Sequence, residues 1–123
     1  MTSFLFALLL SAVHAAPGEI SGVVTAGSGV TLQSGGVLFV IAKEAGKPMP
    51  VAVLRIPDPK LPYVFSLSAK NAMVAGTPFT GPFLITARFS PTGDAMDKSG
   101  AEGAVTAPVA VGKSDVKIEL KGK

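Results

Sequence analysis

Apolar positions along this chain come in short runs separated by Gly, Pro and small polar residues, with no stretch of sustained helical period. The run from Val37 to Ala42 (VLFVIA) is rich in β-branched and aromatic types, follows a Gly pair and precedes the polar segment Lys43 to Pro48. That length, composition and punctuation predict a buried strand. A membrane-spanning helix needs about 20 apolar residues, far more than this run offers. Lys43 to Pro48 reads as a turn, and Met49 to Ile56 (MPVAVLRI) as the antiparallel return strand, so a hairpin forms the centre of the protein.

The other runs follow the same rhythm. Glu19 to Thr25 (EISGVVT) predicts a first strand with Gly22 at a bulge or a close contact. Ala26 to Gly36 is a Gly/Ser-rich loop, and Pro57 and Pro59 end the hairpin because proline cannot donate to a ladder. In Leu61 to Ser68 the residues Tyr63, Phe65 and Leu67 alternate with Val64, Ser66 and Ser68, the pattern of a half-buried strand. Ala69 to Pro82 reads as a loop with one helical turn around Asn71 to Val74. Phe83 to Phe89 (FLITARF) is a second strongly apolar strand, and Ser90 to Ala104 is a long, acidic, irregular segment of the kind that is usually functional or floppy. Val105 to Val111, interrupted by Pro108, reads as a short edge strand, and Asp115 to Leu120 alternates so that one face is buried. Short, evenly spaced strands with turn-rich connections predict an all-β fold, an immunoglobulin/transthyretin-like antiparallel sandwich of about seven strands. The final strand and the proline-marked one before it are expected at its edges.

Composition adds a leader and removes most chemistry. The 123 residues have room for one domain, and 48% hydrophobic content fills one core. Phe4 to Leu10 is a continuous apolar core, followed by small residues at Val13 and Ala15. This predicts a signal peptide over residues 1–15, cleaved between Ala15 and Ala16, and an exported, periplasmic domain over residues 16–123. No Cys follows the leader to carry a lipid anchor, and no second apolar stretch is long enough to insert the mature chain in a membrane. The formal charge of +3 comes from scattered Lys residues without interleaved aromatics, which argues against nucleic acid as a partner. The chain has no Cys, and its one His is His14, inside the leader. A mature chain without either residue lacks the usual nucleophile and base pairs and the usual transition-metal ligands, so it is read as non-enzymatic and without a cofactor.

The remaining candidates are few. Met49, Met73 and Met96 all lie at turns or in loops and offer thioethers for Cu(I) or haem, against gap-filling at the ends of the sandwich. Asp94, Asp97 and Glu102 offer carboxylates to Ca²⁺, against a solvated loop, which their spacing favours. Arg55 and Arg88 each end an apolar strand and form a candidate patch for a carboxylate or an extended peptide, against snorkelling over the core rim. Tyr63, the only Tyr, reads as a core residue.

The series ISGVV, GVLFVIAK, GKPMPVAVLR, LPYVFSL, AM, TARFSPTGDAM and EG, taken in order from Ile20 to Gly103, resembles the C-terminal periplasmic domain of the CcmI/CycH-type cytochrome c biogenesis factors. The resemblance covers essentially the whole chain after the leader. In those factors a membrane part and helical repeats precede the domain, and the whole assists delivery of apocytochrome c to haem ligation; here a leader stands in their place. The resemblance implies a non-catalytic accessory module whose partner is an apocytochrome c or a haem-lyase component of the maturation machinery. Partner binding is expected through the Lys43 to Met49 and Ser90 to Glu102 turns, with Lys43, Met49, Arg55, Arg88, Asp94 and Met96 as candidates, or by strand addition at an edge. The alternative is a periplasmic carrier of a small ligand or metal, copper or haem, on the Met and acidic loops.

Overall fold

The computed structural model describes residues 18–122. Seven strands, β1 (Ile20–Ala26), β2 (Val37–Glu44), β3 (Pro50–Pro57), β4 (Tyr63–Leu67), β5 (Phe83–Ser90), β6 (Glu102–Ala104) and β7 (Val116–Leu120), form a sheet ordered β4-β1-β7 and a sheet ordered β3-β2-β5-β6. The strands appear where the apolar runs predict them, within two residues at each end for all but β6. The leader and its cleavage point lie outside the described residues.

Period-2 alternation divides each strand between a core face and an outer face. Leu38, Val40 and Ala42 of β2, Ile85 and Ala87 of β5, Phe65 and Leu67 of β4 and Ile118 and Leu120 of β7 meet in one buried cluster between the sheets. Tyr63 packs against that cluster, as its place in the β4 alternation predicts. At the β6 side the sheets are laced together, because the Glu102 amide donates to the Lys121 carbonyl at 3.1 Å and the Lys121 amide to the Glu102 carbonyl at 3.0 Å. At the opposite end of β5, Phe83 and Val109 exchange backbone bonds of 2.9 and 2.7 Å, and the Gly112 amide donates to the Glu19 carbonyl at 2.7 Å, tying in the start of β1.

Four features depart from expectation. The β1–β7 pair is parallel, whereas every other strand pair is antiparallel. It is made possible by Gly22, where an added Cβ would come within 2.1 Å of the Val116 carbonyl oxygen. Lys43 belongs to β2 and not to a turn, since a bulge between Ala42 and Lys43 lets the ladder continue to Pro50. The single turn of helix is a 3₁₀ turn at Ala69–Asn71, set by a capping box in which Ser68 Oγ accepts from the Lys70 amide and Asn71 Oδ1 accepts from the Ser68 amide. Finally, Val105 to Val111 is no strand: the third partner of β5 is Glu102–Ala104, and beyond it Val109 makes only an isolated bridge.

Candidate functional site

Because Leu38, Val40 and Ala42 point into the core, Phe39 and Ile41 point outward. The register fixes what stands beside them. Phe39 pairs with Arg55 on one side and Arg88 on the other, and Arg88 pairs with Glu102, so one row across the outer face reads Arg55, Phe39, Arg88, Glu102. The next row reads Val53, Ile41, Thr86, Ala104, and Lys43 stands beyond it opposite Leu84. Two strand spacings separate Arg55 from Arg88, about 10 Å between backbones. The candidate arginine pair is therefore one patch, divided by an aromatic ring.

Phe39 is only 6% exposed although it faces outward. Residues 91–101 turn back over this face: Gly93 lies against Val37, and Arg88 Nη1 donates to the Ala95 carbonyl at 3.1 Å. Arg88 Nε is buried without a hydrogen-bond partner among the described residues. The guanidinium thus holds the loop through Nη1, while Nε is enclosed. Arg55 is exposed and makes no ion pair among the described residues.

The loop is internally braced, which explains its acidic residues. Ser90 Oγ donates to the Asp94 carbonyl at 2.8 Å, and Asp94 Oδ1 accepts from the Met96 amide at 2.9 Å. Asp97 accepts from the Ser99 amide at 3.0 Å, from Ser99 Oγ at 2.6 Å and from Thr92 Oγ1 at 2.8 Å. These carboxylates serve the backbone of their own turns, and among the described residues no group of three or more His, Cys, Asp or Glu is placed to hold a metal ion. Met96 projects from the braced loop at 77% exposure.

The hydrogen bonds from Ser99 and then Thr92 hold the Asp97 carboxyl at about 2, below its ordinary 3.8. A lowered pKa means that the ionised form is favoured by the fold, so the bracing is complete above pH 3.8 and is lost as pH falls through about 2. Titration of the Ser99 amide NMR resonance is expected to show a midpoint near 2, and Asp97→Asn to abolish the step. A midpoint at 3.8 would show that the carboxylate is not held.

Two grooves open beside these residues. The first, about 290 Å³, has Ile41 and Thr86 in its floor and Lys43, Arg88, Lys98 and Glu102 around it, with Pro48 and Pro50 on the hairpin side. Three cations to one anion make it a basic groove. The second, about 300 Å³, lies between the hairpin turn and residues 73–77 and is lined mainly by Pro48, Met49, Pro50, Val51, Met73 and Val74. Met49, Met73 and Val74 are 70, 59 and 69% exposed. Met73 reaches this place because the Met73 amide donates to the Val51 carbonyl at 2.9 Å and Ala72 bridges Ala52, docking the loop on the edge of β3.

Of the six predicted residues, Lys43 and Arg88 line the basic groove, Arg55 continues its charged row, and Met49 lines the neighbouring apolar groove. Asp94 and Met96 belong to the loop that Arg88 holds and line neither groove. Phe39 and the Pro48/Pro50 pair are not among the candidates read from the sequence, and Met73 is expected there only as a thioether ligand, not among the six partner-binding residues. Only the register and the docking of the 73–77 loop reveal the places of Phe39, Met73 and the two prolines.

Three comparisons place the fold among known proteins. A structure of an alternative pilotin from the type II secretion system of Vibrio cholerae superposes with a TM-score of 0.54, covering 85% of this chain and 96% of the pilotin at 16% identity, a likeness of fold alone. An uncharacterized protein of Aquifex aeolicus (strain VF5) is 35% identical over 81 residues, which are 66% of this chain and 53% of that protein, so the match spans about half of the relative's length. The family model of the cytochrome c-type biogenesis protein H Ig-like domain matches residues 24–121. That match runs from β1 to the end of β7, and the chain belongs to the family of the Ig-like domain of cytochrome c-type biogenesis protein H.

Proposed function

We propose that this protein is a non-enzymatic binding module of the periplasm that offers the outer face of the β3-β2-β5-β6 sheet to a polypeptide partner, an apocytochrome c or a haem-lyase component. Family membership associates the chain with cytochrome c biogenesis. The observation that carries the reading is the exposed Arg55 in one row with Arg88, which lines a groove with three cations to one anion. Phe39 is buried beneath residues 91–101, so a partner meets the exposed Arg55 and the groove that Arg88 lines, and arginine is among the residues enriched in interface hot spots. The alternative carrier role has less support: Met49 and Met73 share a groove, but Met96 lies on another loop, so the three thioethers do not converge.

The test uses purified haem-free cytochrome c polypeptide and purified haem-lyase subunits as probes. The wild-type protein is expected to bind one of them, with affinity falling as salt rises. Arg55→Glu with Arg88→Glu is expected to weaken binding at least tenfold. Equal affinity of wild type and variant, or no binding of either probe, would overturn the proposal.

A further inference from the structure

The basic and the apolar groove share two residues. Pro48 and Pro50 line both, so the grooves are the two flanks of one ridge that runs through the exposed Met49 at the hairpin turn. One is rich in cations and the other is mainly apolar. On one flank stand Lys43, Arg88 and Lys98 with Glu102 over a floor of Ile41 and Thr86, and on the other stand Met49, Met73 and Val74, with the ion-paired Glu44 and Lys47 and Thr77 completing the lining. An occupant that satisfies both flanks carries carboxylates on one side and aliphatic or aromatic side chains on the other.

The backbone around the ridge limits the form of that occupant. Pro48 and Pro50 have no N–H to offer a pairing strand. The nearby edge of β3 is already taken, because Val51 accepts from the Met73 amide and Ala52 is bridged by Ala72. Strand addition, one of the modes expected from the sequence, is therefore blocked at this part of the edge. An α-helix satisfies its own backbone groups internally and needs only side-chain contacts from its host. Methionine suits such a surface, since its unbranched thioether adapts to differing apolar partners.

We infer that the Pro48–Pro50 ridge and its two grooves form a docking site for an amphipathic α-helix with an acidic flank. The acidic flank lies against Lys43 and Arg88, and the apolar flank against Met49, Met73 and Val74. The inference rests on the proposed role as a polypeptide-binding module and adds the conformation and chemistry of the bound segment.

A random peptide display library, selected on the purified protein, provides the test. Enriched peptides are expected to carry apolar residues at helical three- and four-residue spacing together with Asp or Glu. Insertion of a central proline into a selected peptide is expected to weaken binding at least tenfold. Met49→Asp with Met73→Asp is expected to weaken the same peptide at least tenfold at both low and high salt, while leaving the melting temperature within a few degrees because both side chains are exposed. Enrichment of proline-tolerant or strand-patterned peptides, or of purely acidic peptides indifferent to the Met substitutions, would overturn the helix-docking inference and leave the binding role standing. A pool with no enrichment over the Arg55→Glu, Arg88→Glu variant would overturn both.

Discussion

Phe65→Ala is expected to lower the free energy of unfolding by about 3–5 kcal/mol, toward the upper end of that range. Phe65 is 1% exposed and stands at the middle of β4 on the core face. Its cross-strand neighbour on β1 is Gly22, which contributes no side chain toward the space the ring would vacate. A cavity left there cannot be filled from Gly22, and the cost of a truncation rises with the volume left empty. Enlarging Gly22 cannot compensate, because its Cβ would meet the Val116 carbonyl. Small domains are stable by only about 5–15 kcal/mol, so the loss is expected to shift a urea unfolding midpoint strongly while the slope is unchanged. A loss below about 1 kcal/mol would mean that the two sheets close over the gap.

Gly103→Ala is the second large expected effect, about 2–3 kcal/mol on the scale of forced overpacking. Gly103 lies in the seam that joins the sheets, and an added Cβ would come within 2.2 Å of the Glu119 carbonyl oxygen and 3.1 Å of Ile118 Cγ2. A backbone atom has no rotamer by which to yield. Either β7 moves outward or the paired bonds between Glu102 and Lys121 break, and Glu102 is drawn away from the basic groove. Amide exchange at Glu102 and Lys121 is expected to accelerate together. Gly122→Ala supplies the comparison, since nothing stands within 4 Å of its added Cβ, and its effect is expected within about 0.5 kcal/mol. Equal stabilities for the two variants would show that the seam is not closely packed.

What could be read from the sequence is what depends on local pattern. The β2–β3 hairpin, the alternation in β4 and β7 and the tight approach at Gly22 each follow from residue type and spacing within one segment. The site was legible only in part, for a physical reason. Alternation assigns a residue to a face of its own strand, but register decides which residues of other strands stand beside it, and register is fixed by contacts distant in sequence. Arg55 and Arg88 were therefore recognisable as a possible pair, while the ring of Phe39 between them was hidden inside an apolar run. Met73 was recognisable as a loop thioether, but its place beside Met49 depends on the bridge between Ala72 and Ala52. The bulge after Ala42 moved Lys43 from turn to strand, and the true extent of β6 was masked because Glu102–Ala104 has no strand-like composition.

The bond between Gly112 and Glu19 has a consequence for how the domain is held. Glu19 is tied to the segment that pairs with Phe83, and Phe83 pairs with Glu44, whereas Lys121 is tied to Glu102, which pairs with Arg88. Five residues of β5 separate those levels, roughly 17 Å of strand. Glu19 therefore lies toward the end that carries the hairpin turn, and Lys121 farther along the sandwich. A group fused close to Glu19 would stand nearer the ridge than one fused close to Lys121. Anchoring the protein by its downstream end leaves that ridge facing outward.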